Sequence, residues 1–388
     1  MRLTALAAHT PEAVRAALAA RGWEAQAAAL AATGVRPLVV LLDDLTAAER
    51  EALVHWGARA GADVLTGDGW ALVSAAASRL APLARPDRVP PGLEGLGPEL
   101  GRFLAAWSEP PRTWQLAGGA VALDQAALIG IVNVTPDSFS DGGRFTTVDR
   151  AVAHAERLLA EGCALLDVGG ESTRPGAAAV AAEEEIARVV PVIEALVRRG
   201  LGPVSVDTRK AAVARAAIAA GAAAVNDVSA LAFDAELARV VAGAGVGVIL
   251  MHMRGTPETM DGLASYRHVA TEVAAELRAA AERAEAAGIA RERIAVDPGF
   301  GFAKTAEQNF RLLDELASVV GLGYPVVVGP SRKRFLGHAT GRPVEDRDRA
   351  TAVACALAWE RGARLFRVHE AALAREALRV AGATVSAP

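Results

Sequence analysis

From about residue 128 to near the C-terminus, short apolar, β-branched runs alternate with long Ala-rich stretches of helical character. The runs are LIGIVNV (128–134), ALLDVGG (164–170), PVSVD (203–207), AAVNDV (223–228), VGVIL (246–250), RIAVD (293–297), PVVVG (325–329) and RLFRVH (364–369). Between them lie segments such as VDRAVAHAERLLAEG and RKAAVARAAIAAG. Each closes on Gly, the residue that most readily takes the left-handed turn at a helix end. Strand followed by crossover helix requires parallel pairing. The runs lack strict alternation, as expected of strands buried on both faces. Eight such units in about 260 residues predict an α/β fold, a (β/α)8 TIM barrel. An open, doubly wound sheet is the alternative. The absence of a G-x-G-x-x-G turn after the first strand counts against its dinucleotide-binding form.

The pattern before residue 113 is different, and predicts a small N-terminal α/β module of unknown role at residues 1–84. Thr10 and Pro11 suit the N-cap and first position of a short helix that stops near Gly22. VRPLVVLLDDL reads as a strand. Thr46 and Glu49 then have the spacing of a capping box for AAEREALVHWGARAG. ADVLTG reads as a second strand, with WALVSAAASRLAPLA after it. RPDRVPPGLEGLGPELG is rich in Pro and Gly, which assigns residues 85–112 to a linker. TWQLAGGAVALD predicts a hairpin around Gly118 and Gly119, suited to plug the N-terminal end of a barrel over residues 113–388. His9, His55 and Asp68 are scattered and suggest no chemistry.

Composition narrows the function classes. Of 388 residues 52% are hydrophobic, enough for one large domain and a smaller one. A net charge of −4 gives no reason to expect nucleic-acid or acidic-membrane partners. Cys163 and Cys355 make neither a metal cluster nor a disulfide framework. No apolar run reaches the roughly 18 residues of a membrane helix, and the start is weak as a signal peptide, so a cytoplasmic protein is expected. Of 41 basic residues only Lys210, Lys304 and Lys333 are Lys, and the only Asn are Asn133, Asn226 and Asn309. A bias towards Ala and Arg removes Lys and Asn where they are dispensable, so these positions draw attention. Lys210 and Lys304 read as caps of the loops after their strands, and His252 as support for the loop that holds Met251.

Barrel enzymes carry their chemistry at the C-terminal ends of the strands. Here those ends hold Asn133, Asp167, Asp207, Asn226, Asp297, Lys333 and Arg367 with His369. Buried polar groups need partners, so such a ring implies a polar ligand. Carboxylates and amides facing one Lys suit a flat heterocycle with an amino-pyrimidinone edge, a pterin or purine-like ring rather than a sugar. GGESTRPG (169–176) and GPSRKRFLG (329–337) add anion-binding groups, and phosphate sites near the last two strands are frequent in this architecture. The plain alternative for SRKR is a solvated basic turn. A diphosphate usually brings Mg²⁺, which takes oxygen ligands, and Asn133 is a candidate for one of them.

Together GIVNVTPDSFSDGG, DVGGESTRPGA, SVDTRK, NDVSAL, LMHMRGTP, DPGFGFAKTAEQN, GPSRKRFLG and RVHE resemble, in order, the motif series of the dihydropteroate synthase family over about residues 128–380. The resemblance implies condensation of (7,8-dihydropterin-6-yl)methyl diphosphate with 4-aminobenzoate. Its products are 7,8-dihydropteroate and diphosphate, and the path is S_N1-like at the exocyclic CH₂. It implies that Asp207, Asn226, Asp297 and Lys333 hold the pterin beside Met251, with Asp207, Asp297 and Lys333 catalytic. Asn133, Arg367 and His369 are implied for the diphosphate, Asn133 also for Mg²⁺. Thr173, Arg174, Pro175, Phe302 and Ser331 are implied for the aminobenzoate, where a sulfonamide would compete. The loop Thr135–Arg144 is implied to close over the leaving group, and a homodimer through the later helices is implied. Ala303 departs from the family's usual Gly. The rivals are a methyltetrahydrofolate-dependent methyltransferase, which needs neither the STRP loop nor the terminal RVH, and a non-catalytic pterin-binding protein.

Overall fold

The eight apolar runs are eight strands in a computed structural model that describes residues 2–6, 38–75, 77–85, 87–135, 144–173 and 179–386. The chain divides into two units. One comprises Pro111–Val269, Glu276–Leu313 and Tyr324–Pro388. The other comprises Met1–Pro110 with Ala270–Ala275 and Asp314–Gly323.

In the larger unit the strands are β7 (Ala127–Asn133), β8 (Cys163–Gly169), β9 (Val204–Asp207), β10 (Ala224–Asp227), β11 (Gly247–Met251), β12 (Ile294–Asp297), β13 (Val327–Val328) and β14 (Leu365–Val368). All pair in parallel in the order β12-β11-β10-β9-β8-β7-β14-β13. A single parallel bridge, Val296 to Val326, brings β12 to the edge of β13 and closes the barrel. The seventh run is much shorter as a strand than the five residues read from sequence. Pro325 and Pro330 flank it, and neither can donate to a ladder.

The inside of the barrel is a packed core. Ile129, Leu165, Ala224, Ile249, Ala295, Val327 and Leu365 meet there, and Trp114, Leu116 and Val121 reach in from below. Those three come from the hairpin β5 (Thr113–Leu116) and β6 (Gly119–Ala122) predicted from sequence. Trp114 is fully buried and its Nε1 donates to Arg293 O at 2.9 Å, while Arg293 Nη1 donates back to Leu116 O at 3.0 Å. Truncation of a Trp so enclosed costs about 3–5 kcal/mol.

The smaller unit holds an antiparallel sheet in the order β1-β2-β4-β3, formed by β1 (Arg2–Leu6), β2 (Leu38–Asp43), β3 (Asp63–Gly67) and β4 (Trp70–Ala75). The first and last of these are strands that the sequence reading does not assign. Thr46 and Glu49 form the capping box of the helix Ala47–Ala60, with Glu49 N–H on Thr46 Oγ1 at 3.2 Å and Thr46 N–H on Glu49 Oε2 at 2.7 Å. The expected linker is corrected. Residues Gly97–Ser108 are a helix, and Leu93, Leu96, Leu100, Phe103 and Leu104 join Leu42, Leu53 and Val73 in one core. Apolar residues at 96, 100 and 104 already carry the helical period, which the surrounding Pro and Gly obscure. The helix read at Thr10–Gly22 lies outside the described residues. Among the described residues no helix is long and apolar enough to cross a membrane.

Candidate active site

The C-terminal ends of the strands gather polar groups around one guanidinium. Arg367 on β14 donates from Nε to Asp167 Oδ2 at 2.6 Å and from Nη2 to Asp207 Oδ2 at 2.7 Å. Asp167 is wholly buried and also accepts from Asn226 Nδ2 at 3.0 Å and from Ser205 Oγ at 2.5 Å. With its amide nitrogen committed to Asp167, Asn226 keeps its carbonyl oxygen as an acceptor. Burial pushes the Asp207 carboxyl up from its ordinary range, and Arg367 pulls it back. Asp167 stands in the ring of strand ends, but the sequence reading gives it no role. The structure makes it the anchor that aims both Arg367 and Asn226.

Asp297 ends β12 and is nearly buried. Its Oδ1 accepts Gly299 N–H at 2.7 Å. Burial raises its pKa to about 6, against the pull of that N–H and of Lys333, Arg367 and Lys304. The chain then turns through Gly299 (φ 69°), Gly301 (φ 78°) and Ala303 (φ 48°), alternate residues in the left-handed region. A Cβ on Gly299 would lie 2.0 Å from His252 O, so only glycine fits there. At Gly301 a Cβ would come within 3.0 Å of Lys333 Cδ. Ala303, where a Gly suits the backbone, is held at positive φ and fully buried. The turn lays the Phe302 ring beneath Lys333, whose Nζ is 4.0 Å from the ring centre. Burial lowers the Lys333 pKa to about 8, helped by Arg367 and opposed by Asp297 and Asp207. Met251, Val228, Met260, Phe302 and Ala303 form an apolar floor.

The basic run SRKR is not one surface. Ser331 Oγ lies 2.9 Å from His369 Nδ1 and accepts His369 N–H at 3.1 Å, which joins the loops after β13 and β14. Lys333 faces Phe302. Arg332 (φ 57°) turns away to a two-point pair with Asp348, at 2.8 and 2.7 Å. Arg334 is exposed and pairs with Asp261.

Thr173 is half-buried at the end of the loop after β8; Arg174 and Pro175 lie outside the described residues, as does most of Thr135–Arg144. The flanks of the β8 loop are tied down by Glu171. Its carboxylate takes Lys210 Nζ at 2.5 Å and Arg209 Nη2 at 3.3 Å, and accepts Val180 N–H at 3.4 Å. Lys210 also reaches the buried Glu185 at 2.5 Å. Lys210 is therefore a structural cation, as its place in the sequence suggests, whereas Glu171 is missed there.

Among the described residues no group of three or more His, Cys, Asp and Glu gathers as a metal site. Asn133 Oδ1 and Asp207 Oδ2 do converge above Gly169, where a Cβ would lie 3.6 and 3.7 Å from them. So few protein oxygens fit a hard cation that draws the rest of its shell from phosphate oxygens and water.

Residues 129–369 match the family model described as pterin binding enzyme. The chain is 46% identical over 274 residues to the dihydropteroate synthase of Mycobacterium leprae, covering 69% of this chain and 96% of that one. Among solved structures, Xanthomonas albilineans dihydropteroate synthase with 4-aminobenzoic acid aligns with a TM-score of 0.67 at 48% identity, over 71% of this chain and 99% of that one. The same enzyme in complex with 7,8-dihydropteroate aligns at 0.65 and 46%, over 71% and 100%.

Proposed function

The chain belongs to the pterin binding enzymes and, among them, to the dihydropteroate synthases, and from that membership we propose how its own residues divide the reaction. It is a transferase of folate biosynthesis. It joins the pterinylmethyl group of (7,8-dihydropterin-6-yl)methyl diphosphate to 4-aminobenzoate, giving 7,8-dihydropteroate and diphosphate. The observation that carries the assignment of roles is the ring itself. Asp207, Asn226, Asp297 and Lys333 set carboxylates and an amide oxygen against one ammonium at the mouth of the barrel.

In this reading Asp207 and Asp297 accept from the amino and ring N–H groups of the pterin, Lys333 donates to its ring acceptors, and Met251 packs on its face. The C–O bond from the exocyclic CH₂ to diphosphate breaks first, and the electron pair leaves with the phosphate. The cation left behind is spread over the pterin nitrogens and is stabilised by the two carboxylates. The amine of 4-aminobenzoate then forms the C–N bond and sheds a proton to solvent or the departing diphosphate. A neutral arylamine needs no strong base. Arg367 and His369 hold the diphosphate, with Ser331 fixing the His369 ring. Asn133 is the residue to hold Mg²⁺, whose charge offsets that of the leaving group. Thr173, Arg174, Pro175, Phe302 and Ser331 frame the aminobenzoate.

We also propose a cytoplasmic homodimer. Val353 and Leu357, one helical turn apart on Asp348–Glu360, and Val380 on the adjoining Ala371–Ser386 are all exposed. Such an apolar patch on two packed helices suits a second copy of the same face. Lysines at Val353 and Val380 should turn a dimer into a monomer by light scattering.

The direct test is diphosphate release with and without 4-aminobenzoate, beside Lys333→Ala. Release coupled to dihydropteroate formation and lost in the variant supports these roles. Equal turnover in the variant removes Lys333 from them.

A further inference from the structure

Lys304 is nearly buried and has no part in the chemistry above. Its Nζ lies 3.0 Å from His252 Nδ1, 3.1 Å from Gly299 O and 3.0 Å from Phe302 O. On the far side of the imidazole, His252 Nε2 lies 2.9 Å from Glu276 Oε2. The other Glu276 oxygen takes Arg254 Nε at 3.1 Å. These contacts assign the imidazole proton, and burial lowers the Lys304 pKa to about 7, so the ammonium is the form below that value. Burial works against the Glu276 charge, yet the hydrogen bonds of His252 and Arg254 hold its pKa down to about 2, so its carboxylate only accepts. His252 Nε2 must then carry the hydrogen. Burial, with Lys304 beside it, keeps the ring neutral, its pKa drawn down to about 4. Nδ1 is therefore a lone pair, and Lys304 donates to it. Two carbonyls take the other two hydrogens, so all three N–H bonds of an ammonium are used.

The two carbonyls bracket the turn from Gly299 to Ala303, which otherwise has one internal bond, Phe302 N–H to Gly299 O at 3.2 Å, and one anchor, Gly301 N–H on Asn309 Oδ1 at 2.7 Å. It alternates left-handed residues, and one of them is an alanine, which resists that conformation. Across the turn, Gly299 N–H steadies Asp297 and the Phe302 ring faces Lys333.

We propose that Lys304 is a positioning residue: aimed by the Glu276–His252 pair, it pins the Gly299–Ala303 turn so that Phe302 sits beneath Lys333 to receive the arylamine. This rests on the synthase reading above. Asp297 takes one bond from the turn, but its backbone lies on β12, paired with Met251 of β11, so it depends on the turn less than Phe302 does. Phe302 has no such ladder. Loss of the Lys304 donors therefore acts on one substrate more than the other.

Lys304→Met keeps the length of the side chain and removes the donors. The Michaelis constant for 4-aminobenzoate should rise about tenfold or more, and that for the pterin diphosphate should stay within about threefold. A second pair tests the aim of the ammonium. His252→Asn keeps an acceptor near Nδ1 and should stay within about threefold of the parent, whereas His252→Leu should behave like Lys304→Met. The proposal is overturned if both constants rise together, if neither moves, or if the Asn and Leu variants behave alike. If Lys304→Met does not fold by circular dichroism, the His252 pair decides. Failure of the unaltered protein to condense the two substrates would instead sink the synthase reading.

Discussion

Lys333 carries its ammonium 4.0 Å above the centre of the Phe302 ring. The ring offers a negative face to a half-buried cation, a pairing worth about 0.5–2 kcal/mol. Both groups come from turns rather than strands, so each limits the other's freedom. Phe302→Leu keeps apolar bulk and removes the ring. Its kcat/KM should fall about 3- to 30-fold in steady-state assays. Parent-like kinetics would mean that Phe302 acts only as filler.

On the roles proposed, the same cation, Asp207 and Asp297 set the pH range of the enzyme. The reactive form has both carboxylates ionised and Lys333 protonated. Asp297 takes up its proton below about 6, Asp207 below about 7, and Lys333 gives one up above about 8. The free-enzyme kcat/KM should therefore rise through the two carboxylate values to a maximum between about 7 and 8 and fall through that of Lys333. Lys333→Arg holds its charge across the range and should lose the alkaline fall while keeping the acid one. If the alkaline fall persists in that variant, it belongs to another group.

Asp167→Ala should damage stability as well as turnover. It removes the counter-charge of a largely buried Arg367 and the anchor of Asn226. Loss of one partner of a buried ion pair costs about 3–5 kcal/mol. A thermal melt should show Tm lowered by about 6–15 °C. A melt within about 2 °C of the parent would mean that Asp207 alone compensates Arg367.

On the proposed role of Asn133, removal of Mg²⁺ should abolish diphosphate release and leave the fold intact, since Asp167, Asp207 and Arg367 pair with one another at the same mouth. Chelation followed by re-addition of Mg²⁺ tests this, with circular dichroism as the control. Asn133→Ala should shift the Mg²⁺ requirement to higher concentration. An unchanged requirement would remove Asn133 from the ion's shell.

The barrel was legible because eight β-branched runs and Gly-closed helices agree with each other along most of the chain. The strand-end residues were legible because the architecture places them at one mouth. What escaped did so for physical reasons. Trp70–Ala75 is a strand buried on both faces, which by apolarity alone looks like any Ala-rich segment. The helix Gly97–Ser108 hides behind Pro and Gly. Asp167 and Glu171 are acids whose worth lies in partners far along the chain, Arg367 and Arg209 among them, and no local pattern announces such pairing. Lys304 was visible as a rare Lys, but His252, the one distant acceptor among its three, is brought to it by tertiary packing.

Arg367 is contributed by the last strand, yet it neutralises acids on the second and third strands of the barrel. Synthesis is vectorial, so Asp167 and Asp207 emerge from the ribosome long before their counter-ion. Until then a barrel that closed around them would bury unpaired charge at a cost of several kcal/mol. The final strand therefore supplies both a ladder, between β7 and β13, and the counter-ion of two acids on strands made earlier.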